Sequence, residues 1–191
     1  MYTVEPNDAL IVVDVQNDFL PGGALPVAEG NRIFEPLRKT MPLFKYVVAT
    51  RDWHPRKHPH FQEHGGPWPY HCVQHTHGAS FASQMELGFV DEILSKGSIP
   101  PWNGYSAFEN SDLAERLRTR SVQRVFVAGL ATDYCVKETA LEAARSGFET
   151  VVITDAIAAV NVQPGDEAKA LEEMENAGVR FASSAELRTA A

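Results

Sequence analysis

The sequence predicts an α/β fold: a mostly parallel, doubly wound sheet with helices on both faces, a Rossmann-like three-layer sandwich. Four short runs are almost wholly apolar, as is typical of strands buried on both faces of a parallel sheet. Helical patterns alternate with these runs, which indicates βαβ units. The chain has 191 residues, enough for a full hydrophobic core. Because no linker or internal repeat interrupts it, we expect a single domain over residues 1–191.

The strands are expected at the apolar runs. The strong runs lie at residues 10–14, 45–50, 124–129 and 149–154, and two weaker ones lie at 92–96 and 178–181. Helical patterns occupy residues 31–40, 111–118, 133–146, 166–177 and 184–188. Ser111 fits the N-cap position of the second pattern, and Gly147 and Gly178 are typical C-terminal stops. Pro36 interrupts the first pattern.

One long segment, residues 51–88, has no sustained period. A segment of this length without regular structure inside a compact domain is usually functional. All seven histidines of the chain lie in this segment, between residues 54 and 77. Such a concentration beside an aspartate favours metal binding. These residues are His54, His58, His60, His64, His71, His75 and His77.

Composition argues against several classes of protein. The formal net charge is −8 and no basic stripe is present, which argues against a nucleic-acid partner. No run of 18 apolar residues occurs, so we expect no membrane span. The first residues lack a signal-peptide pattern, and we expect a cytoplasmic protein. In that compartment Cys72 and Cys135 should be free thiols.

Chemically useful side chains come directly after the predicted strands. Ligands of open parallel sheets bind beyond the carboxyl ends of the strands. Asp14 ends the first strand, Asp52 and His54 come after the second, Lys96 ends a weaker one, and Cys135 opens the helix after the next. We therefore expect these five residues to meet at one edge of the sheet.

Cys135 is the candidate nucleophile. If Thr132 is the N-cap, Cys135 lies in the first helical turn, where the helix dipole and unpaired amides favour a thiolate. The same amides can donate to an oxyanion. Asp14 is the candidate base for the thiol proton, and Lys96 would stabilise both anions. The alternatives are a packing thiol, a carboxylate that caps amides, and a solvated lysine.

The histidine-rich segment offers a metal-ligand set. Asp52, His54 and His71 would leave open coordination positions and suit zinc, iron or manganese, as in catalytic rather than structural sites. His75 and His77 are expected to be solvated, and Cys72 to pack in the core. Three histidines remain open as a further ligand: His58, His60 and His64. Aromatic residues near the strand ends could form a slot for a flat ring: Phe19, Trp53, Trp68 and Tyr105.

Six motifs together resemble a known family. They are DVQNDF at 14–19, DWHP at 52–55, WPYHCV at 68–73, Lys96, YSAF at 105–108 and GLATDYC at 129–135. In this order they are similar to the nicotinamidases of the isochorismatase-like cysteine hydrolase superfamily. The resemblance covers residues 10 to about 147, and segment 98–104 lies outside it. It implies hydrolysis of nicotinamide to nicotinate and ammonia through a cysteine thioester, with pyrazinamide as a further candidate substrate.

The resemblance also implies roles for individual residues. The catalytic triad would be Asp14, Lys96 and Cys135. One divalent metal ion, zinc first and iron or manganese next, would be held by Asp52, His54 and His71 and would orient the pyridine ring. A cis peptide between Leu130 and Ala131 would direct the amides of Ala131 and Cys135 into an oxyanion hole. The substrate pocket would include Phe19, Trp68, Tyr105 and Leu130.

Two other functions stay open. A carbamoyl or ureido amidase of the same superfamily would share the triad without needing the metal, whereas isochorismatases themselves usually lack the cysteine. A non-catalytic metal-binding module would leave Asp14, Lys96 and the turn before Cys135 without a purpose. The resemblance also allows a homo-oligomer, since relatives are often dimers or tetramers.

Overall fold

The computed structural model describes residues 1–189. These residues form eight strands and four α-helices, joined by turns and loops. The strands are β1 (Tyr2–Val4), β2 (Asp8–Val13), β3 (Val47–Asp52), β4 (Glu92–Lys96), β5 (Arg124–Leu130), β6 (Glu149–Ala158), β7 (Arg180–Ala182) and β8 (Leu187–Thr189). The helices are α1 (Phe34–Thr40), α2 (Leu113–Thr119), α3 (Lys137–Arg145) and α4 (Asp166–Asn176).

Six of the strands form one parallel sheet in the order β4-β3-β2-β5-β6-β7. The chain winds outward from β2 through β3 to β4, then returns to the other side of β2 and winds outward again through β5. The point at which the winding reverses, between β2 and β5, is where open α/β sheets bind ligands. The predicted parallel, doubly wound α/β fold is confirmed.

The sheet is buried on both faces, as the apolar runs predicted. Every residue of β2 is buried, and alternate side chains point to opposite faces. One face packs on α1, while the other packs on α2, α3 and α4. On the first face Leu10 and Val12 share a core with Phe34 and Leu37 of α1. On the second face Ile11 and Val13 share a core with Leu113, Leu117, Ala140 and Met174.

The helix predicted at 184–188 is wrong. A single 3-10 turn covers Ser184–Glu186, closed by a capping box between Ser183 and Glu186. The chain then extends as β8 and pairs with β1. The polar, alanine-containing sequence is compatible with a helix, but pairing with β1 from the other end of the chain stabilises a strand at Leu187–Thr189. Strand β1 was not predicted for the same reason.

Other boundaries differ by a few residues. Helix α2 begins one position later than predicted, with Asp112 at the N-cap position. The Ser111 hydroxyl still accepts from the Leu113 amide at 3.3 Å, and it donates to the carbonyl of Ala107 at 2.8 Å. Strand β6 continues past its polar residues to Ala158, with a register shift against β5. Helices α3 and α4 end just before Gly147 and Gly178, as predicted.

The segment between β3 and β4 has little regular structure. It contains two 3-10 turns, at Gln62–His64 and Leu87–Phe89, and isolated bridges. Its path runs along the carboxyl edge of the sheet, which brings the histidines to the strand ends. Within residues 1–189, no helix combines the length and hydropathy needed to cross a bilayer.

Candidate active site

The sheet register brings the strand-end residues together. Asp52 and Lys96 are register partners at the ends of β3 and β4. Asp14 comes directly after β2 with a positive φ of 49°. Cys135 lies in a π-helical turn, Thr132–Val136, between β5 and α3. Because all these strands are parallel, their carboxyl ends share one edge, and the predicted convergence is a consequence of the topology.

The start of the helix differs from the prediction in one respect. Thr132 is the first residue of the π-helical turn, and Ala131 occupies the N-cap position without a side-chain cap. The prediction that Thr132 is the N-cap is therefore wrong, because the Thr132 hydroxyl bonds to Glu167 at 3.5 Å instead. Cys135 still lies in the first turn, as expected.

Lys96 is the charged centre of the site. Its Nζ lies 2.7 Å from Asp14 Oδ2, 2.7 Å from Asp52 Oδ1 and 3.7 Å from Cys135 Sγ. It also donates to the carbonyl oxygen of Gly104. The side chain is buried. Burial alone would lower the pKa of Lys96, but the Asp14 and Asp52 carboxylates raise this pKa well above its usual value. Lys96 is thus a fixed buried cation and not a solvated lysine.

Asp14 has the environment of a base that works near neutrality. Burial raises the pKa of Asp14 to about 6, although Lys96 opposes this rise. Thr50 Oγ1 donates to Asp14 Oδ1 at 2.7 Å. The other oxygen, Oδ2, pairs with Lys96 Nζ at 2.7 Å. A carboxylate oxygen keeps a further lone pair beside such a contact, so Asp14 can still accept a proton.

Cys135 is a thiol at rest. Burial raises the pKa of the Cys135 thiol well above its usual value, Lys96 opposes this rise, and Asp14 adds to it. Burial thus acts against the thiolate that the start of the helix was expected to favour, because loss of solvation disfavours the charged sulfur. The Cys135 sulfur and a carboxylate oxygen from each of Asp14 and Asp52 all lie within 4.8 Å of one another. A nearby base is consequently needed to form the thiolate.

On the far side of Asp52, histidine nitrogens converge. His54 Nδ1 lies 3.1 Å from the carbonyl of Gly97, and His71 Nδ1 lies 2.8 Å from that of Pro69. Each Nδ1 therefore carries the proton, and each Nε2 presents a lone pair. These lone pairs face Asp52 Oδ2 at 3.5 and 3.9 Å, and within residues 1–189 the buried His54 Nε2 has no hydrogen-bond partner. Acceptors that face one another in this way suit a bound cation.

Of the three histidines that the sequence left as possible further ligands, His60 is the one that joins His54 and His71. Ring nitrogens of His54, His60 and His71 lie within 4.8 Å of one another, and all three residues are buried. Burial lowers the pKa of His60 to about 4, with further lowering by the neighbouring histidines. The neutral form is the one that binds metals. Among the other histidines, His58 uses both ring nitrogens in hydrogen bonds, and His64 is exposed.

The remaining histidines and the second cysteine lie as the sequence suggested. His75 and His77 are exposed, and Cys72 is buried in the core. The Cys72 amide donates to Asp18 Oδ2 at 2.7 Å. Asp18 also accepts from the Ala24 amide at 3.2 Å, so its carboxylate holds backbone amides of the surrounding loops.

Gln16 lies in the motif at 14–19, and the structure shows that it supports the site. Its Oε1 accepts from the Asp52 amide at 2.7 Å, and its Nε2 donates to the Asp52 carbonyl at 2.8 Å. The same Nε2 donates to the Ala79 carbonyl at 2.9 Å. The side chain is fully buried. Asp14, Asn17 and Asp18 beside it are polar as well, so the local sequence does not single out Gln16.

Gly97 is required beside His54. It has a φ of 60°, and a Cβ at this position would collide with the His54 ring. The carbonyl oxygen of Gly97 accepts a hydrogen bond from His54 Nδ1. Gly97 thus lets the chain after β4 approach closely enough to orient the histidine.

A mostly aromatic cleft opens above Cys135. Trp68 Nε1 donates to the Tyr105 hydroxyl at 2.9 Å, and Trp68 packs edge-on to Tyr134 with ring centroids 5.0 Å apart. Phe19 packs beside His71 at 5.6 Å. The lining residues are Phe19, Leu25, Asp52, His60, Trp68, His71, Tyr105, Ala131, Tyr134, Cys135 and Val160. Sequence reasoning missed Leu25 and Val160, which lie outside the six motifs, and it gave Tyr134 no role although this residue lies in the motif at 129–135.

Two proposed pocket residues lie elsewhere. Leu130 is fully buried in the core and its neighbour Ala131 lines the cleft. Trp53 packs between Arg51 and His75, away from the cleft. The peptide between Leu130 and Ala131 is cis, as the resemblance implied.

Taken together, the cleft lies between a buried thiol with its base on one side and a group of side chains that could hold a metal ion on the other. A thiol, a carboxylate and a buried cation are the components of acyl transfer through a covalent intermediate. Apolar walls with a few convergent polar groups are typical of small-molecule sites.

Comparison with known proteins identifies the family. The family model described as isochorismatase domain matches residues 8–186. The nicotinamidase of Escherichia coli (strain K12) is 37% identical over 198 residues, covering 91% of this chain and 93% of that protein. The structure of PnC1 from L. infantum in complex with nicotinate has a TM-score of 0.94 at 37% identity and covers 99% of both chains. Pyrazinamidase of Pyrococcus horikoshii in complex with zinc has a TM-score of 0.82 at 48% identity, covering 93% of this chain and 99% of that one. The chain therefore belongs to the isochorismatase family, in the branch of hydrolases that contains the nicotinamidases and pyrazinamidases.

Proposed function

We propose that this protein is a nicotinamidase that hydrolyses nicotinamide to nicotinate and ammonia, with Cys135 as the nucleophile. The observation that carries the proposal is the position of Lys96, which touches Asp14 and Asp52 at 2.7 Å each and lies 3.7 Å from Cys135 Sγ. A thiol, its base and a metal-binding carboxylate thereby share one cation at one cleft. The nicotinamidase relative and the nicotinate complex of a similar structure support the choice of substrate.

The first half of the reaction forms a thioester. Asp14 accepts the thiol proton while the sulfur of Cys135 attacks the carboxamide carbon. The amides of Ala131 and Cys135 donate to the resulting oxyanion. Loss of one such donor typically costs about 3 kcal/mol of barrier. The C–N bond then breaks, and the proton held by Asp14 passes to the leaving nitrogen, which departs as ammonia.

The second half returns the enzyme to its starting state. Asp14, ionised again, removes a proton from a water molecule as the water oxygen attacks the thioester carbon. The C–S bond breaks, and the proton held by Asp14 returns to the sulfur of Cys135. The nicotinic acid that forms loses its remaining proton to solvent and leaves as nicotinate. Lys96 keeps its charge throughout, since the Asp14 and Asp52 carboxylates hold its pKa high in the resting site and Asp52 remains beside it at 2.7 Å when Asp14 is protonated. It therefore balances the negative charge that moves between the carboxylate, the sulfur and the oxyanion.

Four residues would hold a divalent metal ion, zinc first: Asp52, His54, His60 and His71. Their donor atoms suit this ion, since a carboxylate oxygen and neutral imidazole nitrogens are ordinary zinc ligands. A Lewis-acidic ion there would bind the pyridine nitrogen and so orient the ring. The protein's part is to fix the ligands: the carbonyls of Gly97 and Pro69 hold two imidazoles in the required tautomer.

The aromatic walls would select a flat, uncharged ring. Burial raises the pKa of Tyr105 to about 12, so its hydroxyl stays neutral and accepts a hydrogen bond from Trp68 Nε1. Phe19 and Trp68 offer ring faces and edges for stacking. Pyrazinamide has the same ring size and carboxamide, and we expect it to be a substrate as well.

Ammonia release from nicotinamide tests the proposal. The Cys135→Ala protein should lose activity by several orders of magnitude, while Cys72→Ala, which alters a buried thiol outside the cleft, should keep it. Chelation should abolish activity and zinc should restore it. Normal ammonia release by Cys135→Ala would refute the mechanism. Full activity of a metal-free protein would favour a carbamoyl or ureido amidase instead.

A further inference from the structure

We propose that His58 is a positioning residue that fixes His60 in the metal-binding group, an inference that rests on the proposed function. His58 lies in the histidine-rich segment but is absent from the cleft lining. It is nevertheless fully buried. A buried polar ring needs partners, and those of His58 define what it does.

Both ring nitrogens of His58 are used by backbone groups. Its Nδ1 accepts a hydrogen bond from the backbone amide of His60 at 3.1 Å. Its Nε2 lies 3.1 Å from the carbonyl oxygen of Trp102, to which it donates. One nitrogen accepts and the other donates, so the ring is the neutral Nε2–H tautomer. No lone pair remains for a metal ion, which separates His58 from His60.

The hydrogen bond from the His60 amide to His58 Nδ1 joins residues only two positions apart. A side-chain acceptor that bonds the backbone two residues later holds the chain in a tight turn. His60 comes directly after this turn, and its ring stacks on that of His54 with centroids 5.2 Å apart and planes at 26°. The His58 ring lies 4.9 Å from the His54 ring and 5.7 Å from the His60 ring. His58 therefore sets both the backbone and one side of the space in which His60 sits.

The second bond joins the histidine-rich segment to the chain after β4. The backbone carbonyl of Trp102 makes this contact, while the residue as a whole is 47% exposed. Two residues later, the carbonyl of Gly104 accepts from Lys96. His58 thus ties His60 to the same short stretch that closes over Lys96.

Zinc affinity of the purified, metal-stripped protein tests this role independently of turnover. Three variants are compared with wild type by competition against a chromophoric chelator: His58→Leu, His58→Asn and His60→Ala. Leucine removes both hydrogen bonds, whereas the asparagine oxygen can still accept from the amide two residues on. Loss of a partner that orients a ligand typically weakens metal binding by about 10- to 100-fold. We expect this loss in His58→Leu and a clearly smaller one in His58→Asn.

A double variant and a spectrum separate positioning from a general structural effect. If His58 acts through His60, the His58→Leu/His60→Ala protein should bind zinc no more weakly than His60→Ala alone. The visible spectrum of the cobalt-loaded protein reports the ligand set, and His58→Leu should resemble His60→Ala in it. Should His58→Leu fail to fold, His58→Ala removes the same two bonds without added bulk and takes its place.

Three results would overturn the inference: wild-type zinc affinity in His58→Leu, wild-type affinity in His60→Ala, or additive losses in the double variant. A protein that shows the expected zinc affinities and cobalt spectra but releases no ammonia from nicotinamide would contradict the proposed function while leaving the role of His58 intact. The two ideas can therefore fail separately.

Discussion

Replacing Thr50 by valine removes one hydrogen bond from Asp14 and leaves the shape of the side chain nearly unchanged. Thr50 Oγ1 donates to Asp14 Oδ1 at 2.7 Å, and both residues are fully buried. Burial raises the pKa of Asp14 to about 6, while Lys96 and this hydroxyl both hold it down. Without the hydroxyl the charged form of Asp14 loses a donor, so its pKa should rise further.

The strength of such bonds sets the size of the effect. A hydrogen bond to a charged group contributes about 1.5 to 3 kcal/mol, and one pKa unit corresponds to about 1.4 kcal/mol. The pKa of Asp14 should therefore rise by about one to two units. Asp14 must be ionised to accept the thiol proton, so activity is present above this pKa and is lost as the pH falls through it. In the parent protein this loss should centre near pH 6, and in the variant it should centre about one to two pH units higher.

The assay is the pH profile of kcat/KM for ammonia release from nicotinamide, over about pH 5 to pH 9. Thr40→Val is the matched control, because Thr40 is equally buried but donates to the carbonyl of Pro36 in α1. Its acid limb should coincide with that of the parent. An unmoved acid limb in Thr50→Val would refute the assignment of Asp14 as the base whose ionisation controls activity.

Three further substitutions test other parts of the site. Lys96→Met leaves buried carboxylates without their cation, and should abolish activity and lower the free energy of unfolding by about 3 to 5 kcal/mol; a stable, active protein in chemical denaturation and ammonia assays would contradict the role of this ion pair. Gly97→Ala should weaken zinc binding more than tenfold, because the added Cβ collides with the His54 imidazole and a displaced ligand typically costs about this much affinity. Gly147→Ala is the control: Gly147 also has a positive φ but has open space around it, so this variant should bind zinc normally. Equal zinc affinity in these two alanine variants would show that the close approach has no effect. Gln16→Leu removes three buried hydrogen bonds and should destabilise the protein by about 3 kcal/mol and weaken zinc binding, as measured by thermal unfolding and chelator competition; unchanged stability would mean that the Asp52 peptide finds other partners.

Much of the site could be predicted because the topology brings its residues together. Apolar runs mark the parallel strands, and the carboxyl ends of parallel strands lie at one edge of the sheet. Asp14, Asp52, Lys96 and Cys135 each lie at or just beyond such an end, so their convergence needs no knowledge of loop conformation. The register pairing of Asp52 with Lys96 then explains the ion pair between them.

The choice among the histidines could not be made from the sequence. His58 and His60 are two residues apart in an irregular segment, and the direction of each ring depends on hydrogen bonds to distant backbone. The carbonyl of Trp102 decides the role of His58, and that carbonyl belongs to the stretch without family resemblance. His64 is close in sequence but exposed.

Side-chain direction also limited the prediction of the cleft. The resemblance implied that Leu130 lies in the pocket, yet this residue is fully buried in the core. Tyr134 lines the cleft because a π-helical turn separates β5 from α3, and the local sequence does not predict that turn. The pairing of β1 with β8 likewise depends on two ends of the chain that local patterns cannot relate.

The covalent intermediate tests the central proposal most directly. Metal-loaded protein is mixed with nicotinamide, quenched in acid within a single turnover, digested and analysed by mass spectrometry. One nicotinoyl group should be found as a thioester on Cys135, and none on Cys72 or in the Cys135→Ala protein. Ammonia release at the normal rate with no acyl group on Cys135 at any quench time would contradict the account.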